Sequence, residues 1–309
     1  MMDRKDNLDL KLFSSLENLG FKAGLVSIKY LQELRDAIQG SHKRGLIDDD
    51  LYGEYFSSFD FTVPNALSEA KSIIVVATPV PSLQVTFMRN EKPFEAIVPP
   101  TYNHDTDQQV SDCITDVLKP EGYQLIPAVL PKKLLAARSG LAKYGKNNIA
   151  YVDDIGSYLR LTAFYTDAPV SKEQWKEPEM LDLCHKCTAC IRKCPTGAIS
   201  SDRFLLYAEK CLTFHNEMDK PFPEWIDPSW HNCLIGCMFC QNVCPANKPS
   251  VRRIVHVATF SDEETELILK GTAKDDLPQT TLEKLEATSL LDGYELVSRN
   301  LNALLNAHS

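Results

Sequence analysis

A layered α/β domain, followed by a cysteine-rich module and a short helical tail, is the architecture this sequence predicts. Three observations predict it. Strand-like and helix-like apolar runs alternate over the first 170 residues; nine of the ten cysteines crowd between Cys184 and Cys244; and from Ser261 onward apolar residues recur at helical spacing. The 309 residues suit about two domains at roughly 150 residues each. The expected division is 1–170 for the α/β domain, 171–255 for the cysteine module and 256–309 for the tail. Hydrophobic residues make up 44% and charged residues 24%, which excludes a disordered chain.

The elements follow in order. Leu8 to Leu19 has helical spacing, Ala23 to Ser27 is strand-like, and Tyr30 to Ile38 returns to helix. Lys71 to Pro79 is a continuous β-branched run closed by proline, as in a strand buried on both faces, and is expected at the centre of a sheet. Tyr123 to Val129 and Tyr158 to Thr166 read as further strands, with helix-forming Lys132 to Arg138 between them. Cys113 lies in the helical repeat Val110 to Leu118 and is expected to be a buried structural thiol. The proline-rich, charged stretch from Asp167 to Pro178 marks the domain boundary. In the tail, Ser261 is an N-cap with acids in the first turn, Thr280 or Thr281 caps a second helix to Leu291, and Leu296 to Leu305 forms a third.

Composition narrows the function. No stretch approaches the ~20 apolar residues of a membrane span, and Met1 to Phe13 lacks the apolar core of an export signal, so a cytoplasmic protein with no membrane partner is expected. The formal charge is −9, and Ser261 to Ser309 carries ten acids against four bases, a distribution that repels phosphate backbones. In a reducing compartment ten cysteines argue for metal or redox chemistry rather than disulfides.

The strongest motif is Cys184-x2-Cys187-x2-Cys190-x3-Cys194-Pro195, the spacing of paired 4Fe-4S clusters, in which the fourth cysteine ligates the other cluster. Cys237-x2-Cys240-x3-Cys244-Pro245 follows, with Cys211 between the two runs. Crossing the fourth ligands assigns Cys184, Cys187, Cys190 and Cys244 to one cluster, and Cys194, Cys211, Cys237 and Cys240 to the other. Cys233 competes with Cys211 for the last place. Zinc sites more often show two separated Cys-x2-Cys knuckles, so the tandem run followed by Cys-Pro reads as iron and sulfur.

Within the α/β domain, Pro131 to Asn148 holds five bases and no acid, around Ser139-Gly140-Leu141-x3-Gly145-Lys146-Asn147, and Gly156-Ser157 follows. By its residues alone this is either a cradle for an anionic cofactor tail or a solvated helix face ending in a glycine cap. Taken with the two cysteine runs and Gln241-x2-Cys244-Pro245, it resembles the epoxyqueuosine reductase family over about residues 70 to 250; Arg299-Asn300 resembles that family's Arg-Asn pair. The resemblance extends to the related reductive dehalogenases. It implies a nitroreductase-like α/β domain holding base-off cobalamin beside two 4Fe-4S clusters. It further implies that Lys143, Tyr144, Gly145, Lys146, Asn147, Asn148, Gly156 and Ser157 lie against the corrinoid, and that Cys211 rather than Cys233 is the ligand.

This chain departs from the family where the proton donor is expected, because Ile126-Pro127-Ala128 holds no acid. Lys143 stands at the family's Trp position and Ala142 at a Gly. Tyr102 and His104, resembling a Tyr-His pair placed similarly in the family, are the candidate catalytic residues. His185 and His231 are read as neighbours of the ligands or surface groups, not as cobalt ligands.

The function expected is a cobalamin-dependent iron-sulfur reductase. It would take electrons from a low-potential donor such as ferredoxin or flavodoxin and reduce a small molecule or modified nucleoside. Two other readings stand beside it: an electron-transfer or corrinoid-activating protein without substrate chemistry, and an epoxyqueuosine reductase acting on tRNA. With an acidic tail and no room for a helical-repeat domain, tRNA is not expected as a partner.

Overall fold

The computed structural model of the chain describes residues 4–171, 174–248 and 252–307. Its elements begin with α1 (Arg4–Asn18), β1 (Lys22–Ser27), α2 (Leu31–Lys43), α3 (Asp49–Leu51), β2 (Ser72–Pro79), β3 (Ser82–Arg89), β4 (Lys92–Val98), α4 (Asp107–Leu118), β5 (Leu125–Pro127) and α5 (Lys132–Arg138). They continue with β6 (Lys143–Tyr144), β7 (Ala150–Tyr151), β8 (Leu159–Thr166), α6 (Ala189–Lys193), α7 (Leu212–Glu217) and α8 (Phe239–Asn242). The chain closes with β9 (Ile254–Phe260), α9 (Asp262–Leu269), α10 (Gln279–Ala287) and α11 (Tyr294–Ala307). The fold is mixed α/β, with the cysteine module followed by a tail that is helical from Asp262 onward.

Contacts divide the chain into two units, residues 1–79 with 105–187, and 80–104 with 188–309. In the first, four strands pair in the order β1-β2-β8-β5, all antiparallel. β2 is central, as its β-branched run predicts, because both its faces are covered. Ile73, Val75 and Ala77 pack with Leu34 of α2 and Leu135 of α5, while Ile74 and Val76 pack with Leu12 and Leu16 of α1 and Ile114 of α4. Side chains of this kind, fully buried, stabilise the fold by about 1.5–3 kcal/mol each. β5 is shorter than expected: Pro127 has no N–H for a ladder, which suits the end of an edge strand. Cys113 packs beside the α1–α4 core but is only half-buried, unlike the buried thiol expected.

The second unit carries elements that apolar periodicity did not announce. β3 and β4 form an antiparallel hairpin whose turn residues Asn90 and Glu91 both have positive φ, 52° and 61°, the conformation of a tight hairpin turn. β9 lies parallel to β3, with Phe87 opposite Phe260 and their rings stacked at 5.0 Å. The linear division at 170/171 and 255/256 is therefore not the division of contacts, since residues 80–104 pair with a strand from the far end of the chain.

The tail helices pack on this sheet through Ile268, Leu285, Val297 and Leu301, all buried. Ser261 caps α9 in a full capping box with Glu264, as expected. α10 starts earlier than expected, at Gln279 after Pro278, and Thr281 sits inside it, its hydroxyl donating to the Glu264 carboxylate at 3.1 Å. Among the described residues no helix is long and apolar enough to cross a membrane.

Candidate metal centre

The second unit gathers three of the expected ligands. Cys211 lies within electrostatic reach of Cys194, and Cys237 within reach of both; these are three of the four cysteines expected in one set, Cys240 being the fourth. Two short helices carry the matching Cys-x2-Cys-x3-Cys-Pro spacings. Cys190 sits on α6 and Cys240 on α8, the two helices pack together, and Lys193 of α6 lies 5.1 Å from the Phe239 ring of α8. The Cys194 amide closes one helix on the Cys190 carbonyl at 3.0 Å, and the Cys244 amide closes the other on Gln241 at 3.2 Å. Prolines 195 and 245 follow each turn and stop it.

Cys211 and Cys237 are half-buried, and burial sets their chemistry. Cys237 is pushed up to about 11 by burial, against a hydrogen bond from Asn232 Nδ2 at 3.3 Å that acts the other way. Burial likewise raises Cys211. A buried thiol resists carrying a bare negative charge, whereas a bound metal deprotonates a coordinating thiol outright. The donor set is all sulfur, which suits iron-sulfur clusters. Among the described residues no three His, Cys, Asp or Glu side chains meet at the spacing of a single metal ion.

Cys233 is 1% exposed, and burial, then Cys237, holds its thiol well above its ordinary range. Its thiol donates to Asn232 Oδ1 at 3.3 Å, and the same oxygen accepts the Met238 amide at 2.9 Å. Asn232, which sequence reading overlooked, thus fixes the start of the second run.

A second overlooked device holds the Cys211 segment. Arg299 Nη1 donates to the carbonyls of Met218 and Lys220, its Nη2 donates to those of His215 and Asn216 at 3.1 Å each, and its Cζ lies 4.3 Å from the Phe222 ring. Asn300 Oδ1 accepts from Arg299 Nε at 3.1 Å, and Asn300 Nδ2 donates to Asn216 O at 3.0 Å. The only sequence signal for this was the Arg-Asn pair itself.

Tyr102 belongs to the same unit. Its hydroxyl donates to the Glu217 carboxylate, and burial, then the Glu217 charge, holds the phenol well above its ordinary range. Cys211 and Cys233 add to that shift, which places the ring beside the second cysteine set. A Cβ on Gly236, at φ +70°, would stand 2.8 Å from the Tyr102 hydroxyl, so only glycine fits there. His104 is exposed; its backbone amide donates to Ser289 Oγ at 3.3 Å.

The loop residues expected against a corrinoid lie in the first unit. β6 and β7 pair Lys143 with Tyr151 and Tyr144 with Ala150. A Cβ on Gly145 would stand 2.5 Å from the Tyr151 ring, and Asn147 Nδ2 donates to the Tyr151 hydroxyl at 3.1 Å, so this turn is filled by its own side chains. Lys143 pairs with Glu179 at 3.3 Å, and Lys146 Nζ donates to the Cys187 carbonyl at 3.2 Å. The Tyr144 backbone brackets residues 179 and 181, accepting from the Leu181 amide and donating to the Glu179 carbonyl. Burial pushes the Tyr144 phenol up. Asn148 takes φ 57° within the turn, Gly156 takes φ 74° in a separate turn onto Val152, and Ser157 is buried. What this hairpin visibly does is brace the chain entering the first cysteine run.

Comparison with known proteins agrees with the cysteine chemistry. The sequence pattern of the 4Fe-4S double cluster binding domain matches residues 183–247. The epoxyqueuosine reductase of Bacillus subtilis (strain 168) is 29% identical over 194 residues, which is 59% of this chain and 49% of that protein. The epoxyqueuosine reductase of Escherichia coli (strain K12) is 32% identical over 124 residues, 40% of this chain and 31% of that protein. The chain thus spans about half or less of the length of these relatives. Its fold matches the structure of the Streptococcus thermophilus epoxyqueuosine reductase with a TM-score of 0.65 at 18% identity, over 98% of this chain and 82% of that one. An epoxyqueuosine reductase with a tRNA-Tyr epoxyqueuosine-modified stem loop matches with a TM-score of 0.66 at 22% identity, over the same shares.

The chain is therefore similar in sequence to epoxyqueuosine reductases over part of its length and similar to them in fold. This overturns the expectation that excluded tRNA as a partner, because a relative has been solved with a tRNA stem loop. The physical error was to read an average. The chain is −9 overall, yet residues 183–256 hold nine bases against six acids, and docking depends on the local field.

Proposed function

We propose that this chain is an iron-sulfur oxidoreductase of the epoxyqueuosine reductase type. It would remove the oxygen of an epoxide on a modified nucleoside in tRNA, using electrons passed singly through two 4Fe-4S clusters. The observation that carries the reading is the gathering of Cys194, Cys211 and Cys237 within the span matched to a double cluster domain. Paired clusters suit one-electron relay from a low-potential carrier such as ferredoxin or flavodoxin.

The geometry supports the following roles for this chain's residues. The two Cys-x2-Cys-x3-Cys-Pro runs supply thiolates from α6 and α8, Cys211 supplies the ligand between them, and Asn232, Arg299 and Asn300 hold those segments in place. Cys233, turned to Asn232, is the neighbour and not the ligand. The hydrogen bond from Asn232 to Cys237 sulfur is of the kind that tunes a cluster's potential.

A corrinoid is the further cofactor that the resemblance brings to Lys143 through Asn148, Gly156 and Ser157. The side chains do not present a cradle for it: Lys143 is paired with Glu179, Lys146 with the Cys187 carbonyl and Asn147 with Tyr151.

Anaerobic purification after growth with cobalamin, then iron, sulfide and cobalt analysis on one sample, tests the cofactors. About eight irons per chain is the expected result for two 4Fe-4S clusters, and cobalt at about one per chain decides the corrinoid. Turnover of an epoxyqueuosine-modified tRNA stem loop with a chemical one-electron reductant tests the reaction. A chain with full iron and no turnover supports the second reading, an electron-transfer protein without substrate chemistry, which the missing acid at Ile126-Pro127-Ala128 favours.

A further inference from the structure

The two short helices that carry cysteines of both runs also carry a block of positive charge. Residues 188–200 and 238–253, which contain α6, α8 and the turns after them, hold Arg192, Lys193, Lys248, Arg252 and Arg253 and no acid, in a chain of net charge −9. All five bases are exposed and all five belong to the second unit. Lys193 lies 5.1 Å from the Phe239 ring at the start of α8, and Arg252 Nη2 donates to the Cys244 carbonyl at 2.9 Å just beyond its end, so the charge brackets that helix. An apolar strip adjoins it. Arg252 and Arg253 lead into β9, whose first residues Ile254 and Val255 are 59% and 47% exposed. β9 is the outer strand of its sheet: β3 lies on one side, and among the described residues no strand lies on the other. Exposed aliphatic side chains rimmed by charge mark an interaction surface.

We propose that this surface, Ile254 and Val255 with the bases Lys248, Arg252 and Arg253 and those of α6, docks the acidic one-electron carrier protein that reduces the clusters. The proposal rests on the one-electron relay in the functional reading above. At each encounter the carrier loses one electron and a 4Fe-4S cluster gains it, with no bond made or broken. Two encounters supply the two electrons that removal of one epoxide oxygen consumes.

Charge and position select this occupant. A basic face meets an acidic partner with a fast, oriented encounter and without tight binding, which suits a carrier that must leave after each electron. The bases stand on the same segments as Cys190, Cys194, Cys240 and Cys244, so a docked carrier is brought to the cluster module and not to a distant face. RNA suits the strip less well, because its exposed side chains are aliphatic, whereas unpaired bases stack on aromatic rings. A second copy of the chain would set these bases against the same bases across a two-fold interface.

The test is stopped-flow reduction of the cluster-loaded full chain by an acidic flavodoxin in its fully reduced form, read as bleaching of the cluster absorbance, together with the Kd of oxidised flavodoxin, a readout that needs no turnover. Lys248→Glu with Arg253→Glu is expected to lower the second-order rate at low salt about tenfold or more. That difference should vanish at about 1 M salt, where charges are screened beyond ~3 Å. Arg89→Glu with Lys92→Glu changes the net charge equally at the opposite end of β3 from Ser82, the partner of Ile254, and is expected to change the rate by less than about threefold. Ile254→Ser leaves the charge as it is and should weaken flavodoxin binding roughly fivefold at either salt. Iron at the wild-type level shows that each variant holds its clusters; should the first pair lose iron, Ile254→Ser decides, and unchanged binding in it overturns the proposal. Equal slowing by both charge reversals, no slowing by the first, or a wild type with full iron that flavodoxin does not reduce overturns it too. Unchanged flavodoxin kinetics with weakened stem-loop binding or lost self-association assigns the surface to RNA or to a second copy and likewise overturns it. A wild type that flavodoxin reduces but that leaves an epoxyqueuosine-modified stem loop unchanged overturns the functional reading alone.

Discussion

Arg299 joins the last helix to the segment that carries Cys211, and four backbone carbonyls accept from its two terminal nitrogens. Hydrogen bonds from a charged donor are worth about 1.5–3 kcal/mol, and those carbonyls would be left short of partners without it. Arg299→Ala is expected to destabilise the chain by about 3 kcal/mol in urea unfolding and to bleach the cluster proposed for Cys211, read as lost iron. Arg299→Lys should recover only part, because a point charge cannot span the fork. Another single residue sets a pH dependence. Tyr165, held by burial and by the Asp60 charge, is raised to about 12. Its contribution to stability is present below about pH 10 and is lost as pH rises through 12. The urea midpoint should fall between those values, and fall less in Tyr165→Phe. Neither role was readable beforehand: a tyrosine in an apolar strand and an Arg-Asn pair in an amphipathic helix have many uses, and the partners lie far along the chain.

At the scale of elements, strands and helices were legible wherever burial imposes a period. β2 reads correctly because both its faces meet helices, so every position from Ser72 to Thr78 is buried. α9 reads correctly because Ser261 and Glu264 satisfy its first amides locally. β3, β4 and β9 were not found. Ile254 and Val255 are exposed at the open edge of that sheet, so β9 lacks the alternation that reveals a strand. Its worth lies in the pairing, above all in Phe260, fully buried and stacked on Phe87. Phe260→Ala is expected to cost about 3–5 kcal/mol, measured by thermal or urea unfolding, with loss of the near-ultraviolet signal of the second unit before that of the first.

For the whole molecule the decisive variant is Cys187→Ala. It should remove about half the iron, leaving the count of one 4Fe-4S cluster, and abolish turnover, because a relay of two centres conducts through neither alone. Full activity with half the iron would refute the relay. The double 4Fe-4S cluster domain and its likeness to the epoxyqueuosine reductases were written in the sequence, since cysteine spacing around a cluster is a local property of a few consecutive residues. Buried strands and capped helices were written there for the same reason. Only the tertiary structure decided that residues 80–104 pack with the far end of the chain and that Arg299 holds the segment following Cys211. Those are contacts between residues tens to hundreds of positions apart, and no local preference encodes which distant partner a side chain will find.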